Sequence, residues 1–79
     1  MADPIFVKTL NYKSLACPMP VVKISKEIKT VNIGDTVEVL TTDPGSLSDF
    51  PAWAKTTGQQ VVETKQENGV IRIFVKRAK

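Results

Sequence analysis

Between Val21 and Val31 the apolar residues recur every three or four positions, whereas the segments on either side are patterned as strands. This change of period inside 79 residues confines the chain to a mixed α/β fold. Val21, Ile24, Ile28 and Val31 make one apolar stripe, with Lys23, Lys26, Glu27 and Thr30 on the opposite side. Lys23 and Glu27 are spaced for an i,i+4 ion pair. Asn32-Ile33-Gly34-Asp35 is the expected stop, with Gly34 able to adopt a left-handed conformation.

Ile5 to Asn11 reads as a first strand and Thr36 to Thr42, rich in β-branched residues, as a second. Asp43-Pro44-Gly45-Ser46 is a turn into a second helix that carries Leu47, Phe50, Trp53 and Ala54 and ends at Gly58. Two starts fit this helix. Ser46 and Asp49 form a capping box, which leaves Pro51 inside the helix; or a short irregular turn comes first and Asp49 caps a helix with Pro51 in its first turn. Gln60 to Lys65 and Val70 to Lys76 flank Glu67-Asn68-Gly69, where Asn68-Gly69 suits a type I′ hairpin turn. Ile71, Ile73 and Val75 face one way, and Arg72, Phe74 and Lys76 the other. The order βαβαββ predicts a two-layer α/β (α+β) sandwich, two helices on one face of a four-stranded mixed sheet, as a single domain over residues 1–79.

One cysteine and no histidine exclude an internal disulfide, a Cys-x-x-Cys redox pair, a Cys–His nucleophile and most zinc sites, so no metal and no cofactor is expected. Met1-Ala2-Asp3-Pro4 does not open a signal peptide, and no apolar run is long enough for a bilayer, which points to a cytoplasmic protein without membrane contact. The net charge of +3 is spread over the whole chain and reads as a solvated surface. A nucleic-acid-binding module is the alternative such a charge suggests, but aromatic residues are only 6% of the chain. Phe6, Tyr12 and Phe74 do not form the stacking set that RNA-binding sheets present.

The chemistry concentrates at Cys17-Pro18-Met19-Pro20, directly ahead of the first helical stripe. With Cys17 at the N-cap, Pro18 takes the first helical position, where its fixed φ fits and its missing N–H costs nothing. Pro20 also lacks an N–H, so the Met19 amide is the donor placed to face the Cys17 sulfur. The helix dipole adds partial positive charge at the same point. Both effects favour a thiolate, the form of cysteine that attacks another sulfur. A core cysteine gains nothing from so stiff a turn, and we take Cys17 as the reactive group, with Pro18, Met19 and Pro20 supporting it. Lys23 and Lys26 are candidates for steering an acidic partner, against the plainer reading of a solvated face. Trp53 reads as core.

Leu15-Ala16-Cys17-Pro18-Met19-Pro20-Val21 resembles the Cys-Pro-x-Pro signature of the TusA/SirA-like sulfur carrier family. Gly34-Asp35, Thr42-Asp43-Pro44-Gly45-Ser46 and Asp49-Phe50-Pro51-Ala52-Trp53 come next in the family's order, and the similarity runs from about Val7 to Lys76. The resemblance implies the same two-layer fold and a persulfide-relay sulfurtransferase, an enzyme only in the loose sense that it shuttles a group between proteins. It implies that Cys17 accepts sulfur as a persulfide from a cysteine desulfurase or rhodanese-like donor. It further implies delivery to a DsrE-type acceptor, to tRNA thiolation or to other sulfur metabolism. Asp43 is a further family position, with a partner-docking role to weigh against that of a turn-forming aspartate. The chain departs from the pattern at Asn11 and Ser14, where relatives often have aspartate and glycine, and at Ala54, where some carry a second cysteine. A regulatory interaction module without sulfur transfer is the remaining alternative.

Overall fold

A computed structural model describes residues 4–13, 15 and 19–79 of the chain. The element order is β1 (Lys8–Asn11), α1 (Met19–Glu27), β2 (Thr36–Thr41), α2 (Ser46–Thr57), β3 (Gln60–Glu67) and β4 (Val70–Lys76). The four strands form one sheet in the order β1-β2-β4-β3. β1 runs parallel to β2, which needs a crossover, and α1 supplies it. The other pairings are antiparallel, so the sheet is mixed, with β1 and β3 at its edges.

Side-chain alternation divides the sheet cleanly. Leu10, Val37, Val39, Ile71, Ile73 and Val75 join Ile24 and Ile28 of the first helical segment and Phe50, Trp53 and Ala54 of α2 in one buried cluster. Both helices therefore cover the same face, as the pattern predicts. Each such Val, Leu, Ile or Phe side chain, buried rather than exposed, contributes roughly 1.5–3 kcal/mol. Val21 is only partly buried against this cluster, and Pro20 takes the fully buried place at the head of the stripe. After Glu27 the helix tightens into a 3-10 turn over Ile28–Thr30, which delivers Val31 to the core.

Three local expectations change. The first strand begins at Lys8 rather than Ile5, although Val7 still donates to the Thr36 carbonyl at 2.8 Å. Of the two starts foreseen for the second helix, the longer one is adopted in extent but without its capping box: α2 begins at Ser46 with Gly45 as N-cap and no side-chain cap. Ser46 is instead 2% exposed, its hydroxyl 3.3 Å from Thr41 Oγ1, and this buried pairing competes with capping. Pro51 thus lies within the helix, where it removes one backbone donor. Finally, Glu27 is engaged by Lys8 at 3.4 Å rather than by Lys23.

The turns behave as their residues dictate. Asn68 and Gly69 both have positive φ, 50° and 79°, as a type I′ turn requires. Gly58 closes α2 at φ 79°, its amide donating to the Ala54 carbonyl. Among the described residues no helix is long and apolar enough to cross a membrane.

The sheet face away from the helices has its own small cluster. Arg72 donates to Glu38 Oε2 from Nε at 2.8 Å and Nη2 at 2.6 Å, and Thr9 donates to Glu38 Oε1 at 2.8 Å. Phe74 lies on this face, as its alternation predicts, yet is fully buried: Phe6 packs against it at 5.8 Å and the Arg72 guanidinium sits 5.3 Å from its ring centre.

Candidate functional site

The parallel pair β1–β2 sends both strands into helices at the same end of the sheet, and the two connecting loops meet there. Thr42 Oγ1 donates to the Lys13 carbonyl at 2.8 Å, which ties the β2–α2 turn to the β1–α1 loop. The second loop is built on Asp43, whose Oδ1 accepts from the Gly45 amide at 2.9 Å and whose carbonyl accepts from Ser46 at 3.0 Å. That geometry is the turn-forming role of an aspartate before proline.

Cys17, Pro18 and Ser14 lie outside the described residues, and so does the N-cap geometry expected of the thiol. Met19 opens α1 with its side chain 43% exposed, and Pro20 behind it is fully buried. Met19 stands two positions after Cys17, a reach of at most about 7 Å between Cα atoms. The buried ring anchors the start of α1 on the core, and the exposed thioether beside it leaves the helix's outer face open.

That outer face is a stripe of its own. Met19, Val22, Lys23, Lys26 and Glu27 fall at helical steps of three and four. Together with Thr9, Leu10, Asn11 and Tyr12 of the first strand and its end they line a cavity of about 390 Å³. Lys23 and Lys26 are exposed on its wall, so both candidate lysines line one groove that runs the length of α1, with Lys26 in the helix's last turn.

Tyr12 carries no functional mark in the sequence. It is 6% exposed, and its hydroxyl is buried with no hydrogen-bond partner among the described residues. Burial, and then the nearby charge of Glu27, push its pKa from 10 up to about 12. A tyrosine at the end of a strand pattern, just before the cysteine loop, was the only signal the sequence offered. The Trp53 indole donates to Ser25 Oγ at 2.7 Å, which makes it a helix-to-helix tie in the core, as expected. With Phe74 and Tyr12 buried as well, the sheet offers neither of them as a base-stacking surface.

Residues 8–77 match the family model of sulfurtransferase TusA. Sulfur carrier protein TusA of Allochromatium vinosum is 37% identical over 78 residues, covering 99% of this chain and all of that protein. The Bacillus subtilis protein YrkF is 43% identical over 68 residues, 86% of this chain but 37% of that longer relative. The crystal structure of a SirA-like protein from Desulfitobacterium hafniense superposes with a TM-score of 0.78 at 25% identity, covering 92% of this chain and all of that one.

Proposed function

We propose that this chain, which belongs to the sulfurtransferase TusA family, is a single-domain sulfur carrier that holds sulfur as a persulfide on Cys17 and hands it to partner proteins. One observation carries the reading: a sulfur-handling family and a single thiol in the whole chain leave Cys17 as the attachment point. The Cys-Pro-x-Pro run supports it, since Pro18 and Pro20 stiffen the turn and strip it of competing amide donors.

In the loading step the Cys17 thiolate attacks the terminal sulfur of a donor cysteine persulfide. A sulfur–sulfur bond forms on Cys17, the donor's sulfur–sulfur bond breaks, and the donor cysteine leaves as a thiolate. Discharge is the same exchange with an acceptor thiolate as nucleophile and Cys17 as leaving group. No electrons are gained or lost overall, so neither step calls for an outside oxidant. A low thiol pKa serves both directions, because it supplies the nucleophile and improves the leaving group.

The donor is a cysteine desulfurase or rhodanese-like protein, and the acceptor a DsrE-type protein or another thiol of the sulfur relay. We place the exchange in the cytoplasm, where thiols are kept reduced. Lys23 and Lys26 on the outer face of α1, and the Asp43 turn beside the β1–α1 loop, are the docking residues we assign. Ala54 leaves no second thiol to resolve the persulfide within the chain, so discharge is intermolecular. Incubation with a desulfurase and cysteine, followed by intact mass, tests the loading step. One sulfur atom is expected on the wild type and none on Cys17→Ser; equal gains on both would reject the site.

A further inference from the structure

We propose that the groove between β1 and the outer face of α1 receives an extended acidic segment of the partner protein. Lys23 and Lys26 hold its carboxylates, and the Tyr12 hydroxyl donates to one of its oxygens. The proposal rests on the carrier reading and adds to it the chemistry by which the partner is recognised.

Three independent features converge on this surface. β1 is an edge strand, paired among the described residues only to β2, so its other side offers an edge to an added extended chain. The groove wall carries two exposed lysines, while its one acid, Glu27, is already engaged by Lys8. Tyr12, which also lines the groove, holds a buried hydroxyl that no described residue satisfies. Leaving such a group unpaired costs about 1–3 kcal/mol, and an occupant that supplies an oxygen removes that cost. The hydroxyl is covered, so the segment reaches it as lining side chains give way. Met19, unbranched and 43% exposed on the same wall, is the most adaptable of them.

The same features favour an acidic protein segment over a nucleic acid. Leu10, Met19 and Val22 make part of the lining apolar. A phosphate backbone carries charge at every step and would run past Glu27, whereas a peptide can place single carboxylates opposite Lys23 and Lys26.

The test is an amide chemical-shift titration of the full chain with a capped peptide of alternating glutamate and valine. A lysine–valine peptide and a single-stranded oligonucleotide serve as the other arms. The expected result is shifts confined to residues 9–12 and 19–27 with the acidic peptide and none there with the lysine peptide. Lys23→Glu with Lys26→Glu should weaken binding by at least about tenfold, and Tyr12→Phe by about tenfold while the fold stays intact. Absence of groove shifts, equal response to the lysine peptide, or tighter oligonucleotide binding at the same amides would overturn the acidic docking site. Unchanged affinity in Tyr12→Phe would overturn the role of the hydroxyl. Sulfur loading of the same samples, read by mass, separates the two ideas. A chain that loads Cys17 but ignores the peptide refutes the docking site alone, and one that binds the peptide but never loads refutes the carrier reading alone.

Discussion

The indole N–H of Trp53 donates to Ser25 Oγ at 2.7 Å, and Ser25 in turn donates to the Val21 carbonyl at 2.9 Å. This relay fastens α2 to the helix that comes after Cys17. The tie meets α1 at Ser25, in the helix's second half, with Val21 one turn nearer its start.

Ser25→Ala should therefore cost about 1–2 kcal/mol, because it strands the indole donor in a largely buried site. Urea unfolding measures it, and Ser25→Thr, which keeps the hydroxyl, should recover part of the loss. A cost near zero would mean that the indole finds another partner.

Arg72 and Glu38 make a tight ion pair on the sheet's outer face, with side chains only 19% and 8% exposed. Arg72→Leu leaves a buried carboxylate with Thr9 as its remaining donor, and a loss of about 3–5 kcal/mol is expected in denaturant unfolding. The double variant Arg72→Leu with Glu38→Leu should regain most of it, since the uncompensated charge is then gone.

Tyr12 predicts a distinctive alkaline limb. In the unfolded chain its hydroxyl ionises near 10, and in the folded protein near 12. Above pH 10 the folded state binds more protons than the unfolded one, so stability falls with rising pH through this window and is unaffected by Tyr12 below it. The loss is on the order of 2 kcal/mol by pH 12 and is complete only above it. Tyr12→Phe should flatten that limb and, at neutral pH, leave stability equal or higher, because it removes an unsatisfied buried hydroxyl. Parallel alkaline limbs for both proteins would contradict this.

Gly58 holds φ 79° where α2 turns into β3, and a Cβ there would meet the Lys79 side chain at 2.7 Å. Lys79 can swing away, so the backbone conformation sets most of the cost. Gly58→Ala should destabilise by about 1–2 kcal/mol in thermal or urea unfolding.

The architecture was legible because its signals were periodic. The stripe through Ile24 and Ile28, the alternation of Ile71, Ile73 and Val75, and Asn68-Gly69 each report a local geometry that tertiary packing then preserved. Pro20 reads as part of the reactive turn, but it is also core, since a proline near the head of a helix supplies apolar bulk like any aliphatic residue. The start of α2 was not legible: Ser46 has the chemistry of a cap, yet its hydroxyl is drawn inward to Thr41, a partner five residues away that only the folded turn reveals.

The outer sheet face shows the same limit. Glu38 and Arg72 read as ordinary exposed charges of alternating strands, but both are used to cover Phe74 or to pair beside it. Around the cysteine, the sequence identified Lys23 and Lys26 as members of one helical face. It missed that Tyr12 from β1's end completes the groove, because that contact joins elements through the sheet rather than along a helix.

The central claim is that sulfur on Cys17 is cargo rather than a dead-end modification. The measurement that tests it most directly is a pulse and chase: load the protein with radiolabelled sulfur from a desulfurase, remove the donor, and add a DsrE-type acceptor. The account predicts that the label leaves Cys17 and appears on the acceptor's cysteine as a thiol-labile persulfide. Label that stays on the carrier, or that is released only as free sulfide, would contradict it.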